Sequence, residues 1–173
     1  MSFNQPDVKK INSLWHDASD LLLQTLSAQG EILLNKTSPL ESWSMAQVGD
    51  HLLKSFNLDA ILNGATEKPT RDFDEKVAIF WEVFENDEIK MSSPEAILPK
   101  GGIINKEKLL ESLQQKINEI KKVIETKDLS KLCLNYAIPE YGYFTRWEWI
   151  TFAIVHTERH VRQMKRIFEK VNT

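Results

Sequence analysis

The apolar positions of this chain gather into long stretches with helical spacing, and they do so four times. Val8, Ile11, Trp15, Ala18, Leu22 and Leu26 recur at steps of three or four, which predicts a first helix from about Asp7, just after Pro6, to about Gln29. Gly30 is a natural break, although Glu31 to Leu34 can continue the helix. Thr37, Ser38 and Pro39 mark a loop over Asn35 to Glu41. A second helix opens at Trp43 to Gln47, with Ser44 and Gln47 spaced as a capping box. Its inward stripe reads Val48, His51, Ser55, Leu58, Leu62, and Asn63-Gly64 ends it. A third helix, capped by Asn105, carries the seam Leu110, Leu113, Ile117, Ile120, Ile124 through about Thr126. The fourth starts with another capping box, Thr145-Arg146-Trp147-Glu148, and keeps its period to about Val171.

Two connections separate these helices. Residues 65–104 carry Pro69, Pro94, Pro99 and Gly101-Gly102, with a short helix expected from about Asp74 to Phe84. Asp72, Asp74, Glu75, Glu82, Glu85, Asp87 and Glu88 make this stretch acidic and read as a solvated face. A connection of this length suggests a job, such as crossing a bundle end or covering a pocket. Residues 128–144 form the second connection, with extended residues expected around Leu132 to Ala137. Four amphipathic helices without long alternating strands predict an all-α fold, a four-helix bundle with long crossover connections, in a single domain over residues 1–173.

The polar interruptions of the apolar stripes are where chemistry enters. On the fourth helix the stripe reads Trp149, Phe152, His156, His160, Gln163, Ile167, Val171. Histidines four apart lie one above the other on one helical face, so both imidazoles can reach one ion. His51 lies on the inward stripe of the second helix, so three of the four histidines face the core. His16, beside Trp15 but off its stripe, reads as a surface residue. A buried imidazole needs partners for two ring nitrogens, and apolar neighbours offer few. A shared divalent ion would take one nitrogen from each of His51, His156 and His160; the alternative is three core histidines with ordinary hydrogen bonds. A zincin-like protease helix is excluded on geometry. Glu158 follows His156 by two positions and so points about 200° away around the helix axis.

Net charge narrows the classes further. The 22 Lys and Arg against 25 Asp and Glu leave −3, which argues against a nucleic-acid binder. Arg162, Lys165, Arg166 and Lys170 instead suit the negative end of the last helix. No apolar run approaches a membrane span, and Met1 to Pro6 lacks the layout of a signal peptide. A single cysteine, Cys133, cannot form an intrachain disulfide and reads as a packed thiol. The expectation is a cytoplasmic protein. Asp50, a neighbour of His51 off its stripe, is expected to face solvent.

Trp43-Ser44-x-x-Gln47-x-x-x-His51-Leu52, followed by Thr145-x-x-Glu148-Trp149-x-x-Phe152-x-x-x-His156-x-x-Arg159-His160-x-x-Gln163, resembles the DinB-like (DinB/YfiT) superfamily. Pro139, Gly142 and Thr145 match the loop before the fourth helix in many members. The resemblance implies a four-helix bundle whose three metal ligands correspond to His51, His156 and His160. It includes YfiT-type hydrolases and bacillithiol and mycothiol transferases, and it admits a homodimer. Three neutral imidazoles leave an ion its full charge and an open position, which suits zinc or nickel and a catalytic role. The chemistry would then belong to a metal-bound water in a hydrolase, or to a bound low-molecular-weight thiolate in an S-transferase, acting on a small molecule. Gln163, one turn beyond His160, is a candidate for orienting a ligand. Arg159, about 60° off the histidine line, is a candidate for an anionic substrate or for a bundle-edge ion pair. A non-catalytic metal binder and a metal-free interaction module with the same bundle remain the alternatives.

Overall fold

The computed structural model describes residues 5–172. Residues 1–4, on which most of the signal-peptide expectation rests, and Thr173 lie outside the described residues. Helix α1 (Val8–Ser27) is capped by the Asp7 carboxylate, which accepts from the Lys10 N–H at 3.0 Å. It buries Ile11, Trp15, Ala18, Leu22 and Leu26 as its period requires, while Val8 stays exposed at the helix start. The chain breaks at Gly30, and α2 (Glu31–Leu34) is a separate single turn. In α6 (Lys106–Thr126) the buried seam starts at Leu109 rather than Leu110, then follows Leu113, Ile117, Ile120, Val123 and Ile124. The Trp15 indole N–H donates to the Ile117 carbonyl at 3.2 Å and ties α1 to α6 inside the core.

The second helix departs from its expected length. Helix α3 (Met45–Ser55) stops seven residues before Leu62, and a separate turn, α4 (Asp59–Leu62), carries the rest of the stripe. The Ser55 hydroxyl bonds back to the His51 carbonyl at 2.8 Å, a local bond that competes with the helical ladder. Phe56 then turns into the core against Trp15, with ring centroids 5.2 Å apart. Leu58 and Leu62 remain buried after the break, so the apolar pattern is continuous where the backbone is not.

Helices α1, α3, α6 and α7 (Arg146–Val171) pack around one core, and α5 (Val77–Glu85) lies along α7 as a further helix. The fold is a mostly helical bundle, but not the simple four-helix bundle that the sequence suggests. Phe80 and Phe84 of α5 are buried against Phe144 and Phe152, an apolar face that the acidic composition of the connection conceals. The seven acidic residues named above are all exposed. The extended residues reduce to β2 (Leu132–Cys133), paired antiparallel with β1 (Thr66–Glu67), plus isolated bridges between Leu132 and Thr145 and between Ile138 and Gly142. Cys133 is buried in this ribbon, and burial pushes its thiol up to about 11. No helix among the described residues is long and apolar enough to cross a membrane.

Candidate metal centre

Helix α7 is fixed at its start by a polar cluster. The Thr145 hydroxyl accepts from the Glu148 N–H at 3.1 Å, and the Glu148 carboxylate accepts from the Thr145 N–H at 2.9 Å. The same carboxylate, fully buried, takes both arms of Arg71 at 2.6 and 2.7 Å and the Lys76 N–H at 3.0 Å. That hydrogen-bonded pairing with Glu148 raises the Arg71 pKa above its ordinary value. With the helix start pinned, the rotation of α7 is set, and His156 and His160 project from the face that meets α3 and α5.

There the three histidines converge. His51 Nε2 lies 3.1 Å from His156 Nε2, and His160 Nε2 lies 2.9 Å from the same atom. One nitrogen from each ring falls within 4.8 Å of the others. Two imidazole nitrogens on one zinc-sized ion, each about 2.0–2.1 Å from it, stand about 2.8–3.4 Å apart for angles between roughly 90° and 110°. Both measured separations fall inside that range. His51 and His156 are buried and His160 is partly so.

The outer ring nitrogens decide what the inner ones offer. His51 Nδ1 lies 2.8 Å from the Ile97 carbonyl, which can only accept, so this nitrogen carries the proton. His160 Nδ1 lies 2.7 Å from Oε1 of Gln163 and is oriented the same way. His51 and His160 therefore both aim Nε2 lone pairs at His156, whose single Nε2 can hold one proton at most. Burial lowers the pKa of all three rings: His51 below its usual value, His156 well below it, and His160 to about 3. Neighbouring imidazoles add to the effect at His156 and His160. Three neutral rings with converging lone pairs are a donor set matched to a cation.

Aromatic rings wall the cluster. The Trp43 centroid lies 5.1 Å from that of His51 and 6.5 Å from that of His160; Phe84 and Phe152 lie 5.6 and 5.7 Å from that of His156. The long connection closes over one side as a strap. Arg159 does not point at the histidines: it donates to the carbonyls of Val83, Asn86 and Ile89. Arg162 and Arg166 hold Asp87 at 3.0 and 2.7 Å, which keeps that carboxyl below its usual range although desolvation by its neighbours works the other way. Asp50, expected in solvent, is buried beside Lys54 and accepts from the Lys100 N–H. The sequence carries no sign of this burial, because the group that covers Asp50 from the strap is a backbone N–H fifty residues away. The Ile97 carbonyl carries no side-chain signal at all.

The family model of the DinB superfamily matches residues 14–164, a span that includes all three histidines. The chain belongs to the DinB superfamily. An uncharacterized protein of Bacillus subtilis (strain 168), YuaE, is 24% identical over 165 residues, covering 92% of this chain and 98% of that protein.

Proposed function

We propose that this DinB-superfamily chain binds one divalent ion, zinc or nickel, through His51, His156 and His160, and uses it as a metal-dependent enzyme on a small molecule. The observation that carries the reading is the pair of Nδ1 anchors, Ile97 and Gln163, which turn two Nε2 lone pairs toward a third imidazole. A cluster evolved only to fill the core would place donors opposite acceptors. When bound, such an ion supplies Lewis acidity and an open position, chemistry shared by hydrolases and thiol S-transferases. The chain's own contribution is to orient the rings, to surround them with Trp43, Phe84 and Phe152, and to hold the strap by Arg159.

The test is elemental analysis of untagged protein beside a His156→Ala/His160→Ala variant. Near-stoichiometric zinc or nickel in the wild type, lost in the variant, supports the site. A wild type that takes neither metal after incubation overturns it. Activity then sorts the two chemistries. Loss of an electrophile only when a low-molecular-weight thiol is added marks the transferase, and turnover without thiol marks the hydrolase. Metal binding without either activity is the outcome expected of a non-catalytic metal protein.

A further inference from the structure

From Glu85 to Ile103 the strap has no buried side chain, yet its backbone supplies the carbonyl that orients His51. Ile97 and Pro99 are only half-buried, so apolar packing alone does not account for the placement of that carbonyl. Within the strap, a single turn bonds the Ile97 N–H to the Pro94 carbonyl and the Leu98 N–H to the Glu95 carbonyl, both at 3.1 Å. The side-chain contacts that tie this stretch to the bundle come from one face of α3. Asp50 Oδ2 accepts from the Lys100 N–H at 2.8 Å and pairs with the Lys54 ammonium at 3.0 Å. Lys54 donates to the Leu98 carbonyl, and the Gln47 amide donates to the Lys100 carbonyl at 3.2 Å. Pro99 stands between the two clamped residues and fixes its own φ, while Leu98 is extended as a residue before proline must be. The grip on residues 98–100 is thus passed to Ile97 through a stiff stretch of backbone.

We propose that Asp50 is the positioning residue for His51. It acts through the strap, clamping Lys100 and, by way of Lys54, Leu98, so that the Ile97 carbonyl holds the His51 ring with Nδ1 protonated and Nε2 turned inward. The carboxylate is adjacent to His51 in sequence but bonds none of its ring atoms; its influence runs out to the strap and back. The meaning for metal binding rests on the reading of the three histidines given above. The hydrogen bond itself can be measured without metal.

The experiment uses the full chain, untagged, labelled with nitrogen-15 at histidine. In the metal-free protein the His51 Nδ1–H resonance and its exchange with water are followed. Zinc and nickel affinities are measured by competition with a chelator. Asp50→Ala is expected to speed exchange of the His51 Nδ1–H and to weaken metal binding about 10–100-fold, the usual cost of losing a partner that orients a ligand. Asp50→Asn keeps an acceptor for the Lys100 N–H and is expected to restore most of both. Pro99→Gly, which loosens the clamp without touching α3, is expected to act in the same direction as Asp50→Ala and covers the case in which the latter does not fold. Unchanged exchange and affinity in folded Asp50→Ala and Pro99→Gly overturn the proposal. So does an Asp50→Asn variant as impaired as Asp50→Ala, because charge rather than position would then be responsible. If the wild type takes no metal, the metal reading falls and the exchange measurement alone decides the role of Asp50.

Discussion

Helix α7 carries two buried polar clusters, and they are built on opposite principles. At its first turn, Glu148 meets four donor groups: two arms of Arg71 and the N–H groups of Lys76 and Thr145. Two to three turns later, His156 Nε2 meets two acceptor nitrogens and has at most one proton to share between them. Burying a charge is tolerated where each lone pair is answered, and the first cluster answers them. The second is closed on its outside, by Ile97 and Gln163, and open only at its centre. A saturated cluster holds a fold together, whereas a cluster with one shared deficiency is shaped for something that arrives later.

The difference can be tested from its largest effect downward. Replacing His156 and His160 by alanine is expected to take metal content from near one equivalent to near zero while leaving helix content intact, read by elemental analysis and circular dichroism. Glu148→Ala should do the reverse. Removing a buried partner of this kind costs about 3–5 kcal/mol, seen as a lower urea midpoint, while protein that remains folded still takes metal. Saturating zinc should stabilise the wild type by about 2.7 kcal/mol at a hundred times the dissociation constant, and the double-histidine variant not at all. That comparison is made by thermal melts with and without metal.

A more gradual effect is expected from acid. Burial lowers the three imidazole pKa values in the folded protein, His160 to about 3 from an ordinary 6.5. Between those values the unfolded chain binds protons that the folded one refuses. Metal-free stability is then flat above about pH 6.5 and declines as pH falls toward 3, because unfolding takes up protons. The double-histidine variant should lose most of this slope in urea titrations across the same range. An unchanged slope would place the sensitivity elsewhere, for example in the Asp87 pairs with Arg162 and Arg166.

Much of this was legible in the chain, for reasons tied to particular residues. Both capping boxes, Ser44 with Gln47 and Thr145 with Glu148, have short-range signatures and form as read. The histidines stand out because polar side chains interrupt otherwise apolar stripes. The break at Phe56 left no mark, because Leu58 and Leu62 continue the stripe across it. The packing of α5 along α7 was hidden by the surrounding acidic residues. Asp50 pairs with Lys54 one turn on, but its link to the strap escaped because it runs through main-chain atoms, which every sequence contains and none announces. Arg71, the partner of Glu148, lies 77 positions away with nothing local to link them.

The spacing of the three histidines along the chain has a consequence in time. His156 and His160 come together as soon as α7 forms, four residues apart. His51 joins them across 105 positions, so its approach closes a loop containing α4, α5, the strap and the whole of α6. Contacts of such separation carry a large loop-closure cost and form late in folding. An ion offered to the nascent protein would meet two ligands first and the third only after α3 has docked. Tight loading would then report on completed folding, and release of the ion would be an early sign that α3 has moved.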